Sequence, residues 1–234
     1  MSIDQSQRTA ARVAGVAYLF AMALAIFAES YVGGRIIVPG NAAETARNVM
    51  AHEQLFRFGI ASALIIVVSD VILIAALYAI LKRVNEHLAL PAAFLRLMGT
   101  ALYAVAALKY VDALRILGGD GYLQVLGVEQ LQALARLSVG SYSAGLGVAF
   151  VFLGLGSTVY CYLWVKSKYI PNALAVLGVV ASFLLAAGSF TFILFPRVWA
   201  MIFPAYMMPL GLFEVTMGFW LLFKGLRPPM ATTP

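Results

Sequence analysis

FGIASALIIVVSDVILIAALYAIL, residues 58–81, runs for 24 residues with a single charge, Asp70. A helix of that length extends roughly 36 Å at 1.5 Å per residue, enough to cross a hydrocarbon core about 30 Å thick. Five further apolar stretches approach or exceed the roughly 20 residues a crossing requires: 13–31, 92–114, 142–165, 172–194 and 205–223. The sequence therefore predicts an all-α polytopic membrane protein, a six-transmembrane-helix bundle in one domain over residues 1–234, with short amphipathic helices in its outer loops. With six spans, both termini fall on one side.

Composition supports this reading. Of the 234 residues, 63% are hydrophobic and only 11% charged, and the mean hydropathy is +0.93. A soluble domain carries about 25% charged residues. The net charge of +6 and pI near 9.5 would in a soluble protein raise nucleic-acid binding. Here the basic residues gather at the ends of apolar segments, where they orient a membrane protein, and nucleic acid is excluded as a partner.

The single cysteine, Cys161, permits no internal disulfide. No CxxC or HExxH spacing occurs, and the two histidines, His52 and His87, are expected at opposite interfaces. The residues therefore point to no metal and no cofactor.

Orientation follows from flanking Lys and Arg. Arg8, Arg12, Lys82, Arg83, Arg96, Lys166, Lys168, Lys224 and Arg227, nine in all, fall on the amino-terminal side. Arg35, Arg47, Arg57, Arg115, Arg136 and Arg197, six, fall on the other. Both termini are expected to be cytoplasmic. No small-x-small cleavage site follows Phe27, where Ala28 is succeeded by Glu29 and Tyr31, so the first run reads as an uncleaved span. Tyr31, Tyr122, Trp164, Tyr169, Trp199 and Trp220 read as an aromatic belt near span ends.

Two outer connections carry helical patterns. Residues 41–56 open on Asn41, a helix cap, and place Ala46, Val49, Met50 and Leu55 toward one face. Residues 127–140 place Leu131, Leu134 and Leu137 at intervals of three and predict a second surface helix. The fourth span contains Gly145, Gly147, Gly154 and Gly156, small residues that let helices approach closely in lipid.

Seven charged residues lie where charge is expensive: Glu29, Arg57, Asp70, Lys109, Asp112, Arg115 and Glu214. Lys109, Asp112 and Arg115 occupy roughly a 120° arc of one helix, and spacings of three allow Asp112 to pair with either base. With Glu29, Glu53 and Arg57 they predict a neutral, paired polar layer under the outer face. Asp70 and Glu214 lie deeper, with Lys109 as the deepest base expected to reach them. If one acid pairs with Lys109, the other must be protonated, hydrogen-bonded or bound to a cation. Pro209, five residues before Glu214, predicts a kink in the last span.

Five stretches resemble a known family when taken together: RVAGVAYLFAMALAIFAE (12–29), VPGNAAETARNVMAHEQLFRFGI (38–60), SDVILIAALYAILKRVNEHLALPAAFLRL (69–97), GLGSTVYCYLWVKSKYIP (154–171) and MPLGLFEVTMGFWLLFKGLR (208–227). The chain is similar over 12–227 to a bacterial membrane-protein family called domain of unknown function 4386. The resemblance implies a bacterial inner-membrane location and a multi-span helical architecture. It carries no reaction, ligand or functional residue.

Three functions are compatible with the residues. The leading one is binding or transport of a small polar or amphipathic ligand, lipid included, in an outward-facing pocket lined by the seven charged residues. The second is a structural or assembly role, with a homo-oligomer or another membrane protein as partner. The third is an intramembrane enzyme using Asp70 or Glu214 as general acid or base.

Overall fold

The computed structural model of the chain describes residues 3–119, 121 and 125–228, which leaves Tyr122 of the expected belt outside the described residues. The elements are α1 (Gln5–Ile36), α2 (Ala42–Ala51), α3 (Glu53–Leu81), α4 (Glu86–Gly118), α5 (Val128–Ser167), α6 (Asn172–Leu194), α7 (Pro196–Ile202) and α8 (Ala205–Lys224). Six of them, all but α2 and α7, are long and apolar enough to cross a membrane, and no strand occurs among the described residues. The protein is a multi-pass, all-α membrane protein.

Around its apolar core, α3 and α4 show a burial pattern unlike that of a water-soluble domain. Leu64, Ile65, Val68, Val71 and Ile72 of α3 are exposed, as are Phe94, Leu97, Met98, Val105 and Leu108 of α4. Ser62, Ser69 and Asp70 on α3, with Arg96 and Thr100 on α4, are buried. Apolar side chains outward and polar ones inward suit a lipid solvent, in which an unpaired polar group has no water to turn to.

The predicted spans lie inside the observed helices, and the boundaries differ in instructive ways. The stretch 127–140 is no separate surface helix; it is the amino-terminal part of α5, which continues unbroken for 40 residues. Nothing there stops a helix: Gly140 stays helical, and the Ser141 hydroxyl donates back to the Leu137 carbonyl at 2.9 Å. The buried side of this part is formed by Ala135 and Val139, while Leu134 and Leu137 are exposed.

Of the helix predicted in 41–56, residues 42–51 form α2, and after His52 residues 53–56 open α3. Asn41 caps it, accepting from the Glu44 backbone N–H at 2.9 Å while its amide donates to the Glu44 carboxylate. Ala46 and Val49 are buried as expected, Leu55 is partly buried and Met50 is exposed.

Pro209 does not kink a running helix. It stands in the first turn of the α-helical part of α8, after a 3₁₀ turn at Ala205–Met207, where a missing N–H costs no hydrogen bond. Two departures from α geometry were not predicted: Phe27–Gly33 in α1 and Trp220–Lys224 in α8 are π-helical. Trp164 and Tyr169 are buried core residues and not belt residues.

The chain divides into two compact units. The first takes in the residues up to Met22, Val68–Thr100 and everything from Gly147; the second takes in Ala23–Val67 and Ala101–Leu146. A large cluster including Tyr18, Leu77, Tyr160, Trp164, Leu185 and Phe213 forms the core of the first unit. In this unit the Asp4 carboxylate pairs with Arg83 in the α3–α4 link, and the Arg227 backbone N–H donates to the Tyr169 carbonyl in the α5–α6 link at 2.7 Å. The Gln7 backbone N–H, and then Arg83, hold the Asp4 carboxyl below the usual carboxylate range, so this tie is present at neutral pH and fades as pH falls through the acid range. The second unit has its own smaller core around Val32, Ile36, Phe56, Leu114 and Val139.

Close helix packing in the first unit depends on glycine. A Cβ on Gly154 would lie 2.7 Å from the Ala186 nitrogen and 2.8 Å from the Ser182 oxygen of α6, and neither backbone can move aside independently. Gly154→Val therefore lowers thermal stability in detergent by about 1–3 kcal/mol, the usual cost of overpacking. Wild-type melting of this variant in dodecyl maltoside would show that α5 and α6 do not touch there.

Candidate functional site

Three charged residues of the first unit stand at one depth. Arg96 is ten residues into α4 from Glu86, Asp70 eleven into α3 from Leu81, and Glu214 ten into α8 from Lys224. Each therefore lies roughly 15–17 Å along its helix, near the middle of a hydrocarbon core about 30 Å thick. Ser157 of α5 and Ser182 of α6 are also ten residues from their helix ends.

Arg96 is the centre of the group and is only 2% exposed. One terminal guanidinium nitrogen donates to the Ser157 hydroxyl at 2.6 Å, and the other lies 3.9 Å from the Asp70 carboxylate. The Nε–H is buried without a hydrogen-bond partner, and the buried Thr100 hydroxyl stands beside Asp70. Glu214 lies within electrostatic reach of both Arg96 and Asp70, and Tyr18 of α1 within reach of all three. Gly156 makes the arrangement possible: a Cβ there would sit 2.8 Å from the Arg96 Cγ and 2.7 Å from the Ala92 oxygen.

This corrects two sequence expectations. Arg96 is not a flanking charge at the amino-terminal side but a buried one, because α4 begins at Glu86 and not near residue 92. Without it, that side still holds eight basic residues against six. Nor is Lys109 the base that serves Asp70; it pairs with Asp112 on its own helix at 2.9 Å. The signal for Arg96 was available in Gly156 and Ser157 on the facing helix, but only once the two helices are known to touch.

The other predicted residues belong to the second unit. Arg57 bonds Glu53 one turn earlier, at 2.7 and 2.8 Å, and both side chains are about half exposed. Lys109 and Asp112 are similarly accessible. Four residues of the expected neutral layer thus form two local pairs, each along a single helix. Arg57 and Arg115 stand on a groove of about 400 Å³ whose remaining walls are Ile60, Ala61, Leu64, Val111, Leu114 and Gly118. Glu29, in the π-helical part of α1, lines a separate and far smaller cavity with Phe56, Tyr110 and Tyr142, in which the two tyrosine rings stack at 4.0 Å. The seven predicted residues therefore form no single set within either unit: Asp70 and Glu214 gather around Arg96, Arg57 and Arg115 line the groove, Glu29 lines the smaller cavity, and Lys109 pairs with Asp112.

A family described as a domain of unknown function, DUF4386, matches residues 13–225. The chain belongs to this family. No curated protein and no solved structure matches the chain. The DUF4386 match covers α1 from residue 13, the five other membrane helices in full, the Arg96 cluster and the groove.

Removing Arg96 leaves two carboxyls in the low-dielectric centre of this DUF4386 protein with no cation. Arg96→Leu costs about 3–5 kcal/mol, the range for breaking a buried ion pair from one side. Lys109→Ala, which breaks an accessible pair, costs less than about 1 kcal/mol. Adding Asp70→Asn to Arg96→Leu restores part of the loss. Thermal unfolding of the four proteins checks this order, and equal losses from the two single variants would remove Arg96 from the centre of the fold.

Proposed function

We propose that this protein of the bacterial cytoplasmic membrane, with both termini cytoplasmic, binds or transports a small amphipathic molecule with an anionic head. The observation that carries the reading is the groove of the second unit, where Arg57 and Arg115 face one space and aliphatic side chains form the rest of its walls. Guanidinium groups match carboxylate and phosphate geometry with paired N–H donors. Ile60, Leu64, Val111 and Leu114 offer an acyl or other apolar chain the surface it prefers.

Arg57 can serve a ligand without losing its fold partner. A guanidinium has five N–H donors, and Glu53 engages two of the three nitrogens through one carboxylate oxygen. The volume suits a small ligand or part of a lipid, since ligand pockets are commonly about 300–1,000 Å³. The excess of basic residues at the amino-terminal side supports the orientation, which places the groove outward.

Native mass spectrometry of protein drawn from its own membrane tests the ligand. The wild type is expected to retain a bound anionic amphiphile that the Arg57→Gln/Arg115→Gln double variant loses by tenfold or more in occupancy; equal occupancy in both rejects the groove as the site. A fluorescent protein fused after residue 234 is expected to fold and fluoresce in bacteria, as it does only in the cytoplasm, and a dark but inserted fusion would reverse the orientation.

A further inference from the structure

We infer that Asp70, Arg96 and Glu214 form a proton-binding site in the first unit, holding one exchangeable proton for two carboxyl groups. Arginine stays charged in proteins. With both carboxyls ionised the group carries a net charge of −1 in the middle of the hydrocarbon; with one proton bound it is neutral. A net charge at that depth costs several kcal/mol, whereas a neutral, paired set does not. Binding is a simple addition: one carboxylate oxygen takes up H⁺ from water and becomes a carboxylic acid, with no other bond made or broken.

The hydrogen bonding of the site is incomplete in the way such exchange requires. The Arg96 Nε–H is more than nine-tenths buried and lacks a partner, so the guanidinium has a donor to offer when a second carboxyl ionises. Asp70, with its carboxylate 3.9 Å from Arg96, is the standing ion partner, which leaves Glu214 as the group to take the proton. Every membrane-crossing helix contributes a polar group to the surroundings: Tyr18 from α1, Asp70 from α3, Arg96 and Thr100 from α4, Ser157, Tyr160 and Cys161 from α5, Ser182 from α6 and Glu214 from α8. Tyr160 directs its hydroxyl toward the Ile74 carbonyl at 3.5 Å, and Cys161 faces Ser182 at 3.9 Å, so neither supplies a second cation. A change of charge at the centre is therefore felt by all six helices of this unit.

Charge counting yields a test that a merely structural carboxylic acid would not pass. Infrared spectroscopy of the full-length protein in lipid is expected to show, near neutral pH, the carbonyl band of one protonated carboxyl, sensitive to D₂O and lost at alkaline pH. Glu214→Gln removes that band because Asp70 and Arg96 then balance. Asp70→Asn must remove it as well, because Glu214 ionises to balance Arg96, although the glutamic acid itself is still present. A glutamic acid that only makes a hydrogen bond would keep its band in Asp70→Asn, and that result overturns the inference. A wild type without a titrating band overturns it too, as does a band replaced by sodium-dependent thermal stabilisation, which would make the bound ion a metal cation. Should Asp70→Asn fail to fold, the wild type still decides, because a carboxyl band that does not titrate overturns the inference.

Discussion

A guanidinium enclosed near the middle of a bilayer constrains everything around it. Arg96 can be neither neutralised by losing its proton nor hydrated by lipid, and ten residues from its helix end it is too deep to extend to the headgroups on its amino-terminal side. It needs acceptors brought to it by other helices, and those helices must come close. Ser157 reaches it at 2.6 Å because the residue before it is glycine, which leaves room for the backbone and Cγ of α4. Gly156 and Arg96 are thus two parts of one device: the small residue determines how near the helices lie, and the charged one makes that nearness necessary.

The architecture was largely legible in the sequence because the bilayer imposes a length scale that composition reveals directly. Residues 172–194 coincide with α6, bounded by Pro171 on one side and the Phe195–Pro196 step on the other. Where no breaker exists the sequence is silent about where a helix stops. Residues 127–140 look like a surface helix in isolation, but no residue separates them from the span that follows, and the two are one helix. The π-helical turns at Phe27–Gly33 and Trp220–Lys224 had no sequence signal.

The candidate site was legible in its acids and illegible in its base. Asp70 and Glu214 stand out because they interrupt long apolar runs. Arg96 does not, because only three residues separate it from the onset of the apolar stretch at 92, where flanking cations are ordinary. The start of α4 at Glu86 moves that same residue from the interface to the interior. A boundary shift of six residues, roughly 9 Å of helix, converts an orientation signal into the electrostatic centre of the first unit.

The charged residues of the two units obey different physics, and this bears on what each can do. Glu53 with Arg57 and Lys109 with Asp112 are accessible pairs one turn apart, cheap to break and able to exchange a partner for a ligand. Arg96, Asp70 and Ser157 are buried and joined across helices, so the pair cannot part without leaving charge in a low-dielectric interior. What such a site can exchange cheaply is something very small that restores neutrality when bound. A proton meets both conditions, and its binding acts where all six helices of the first unit converge.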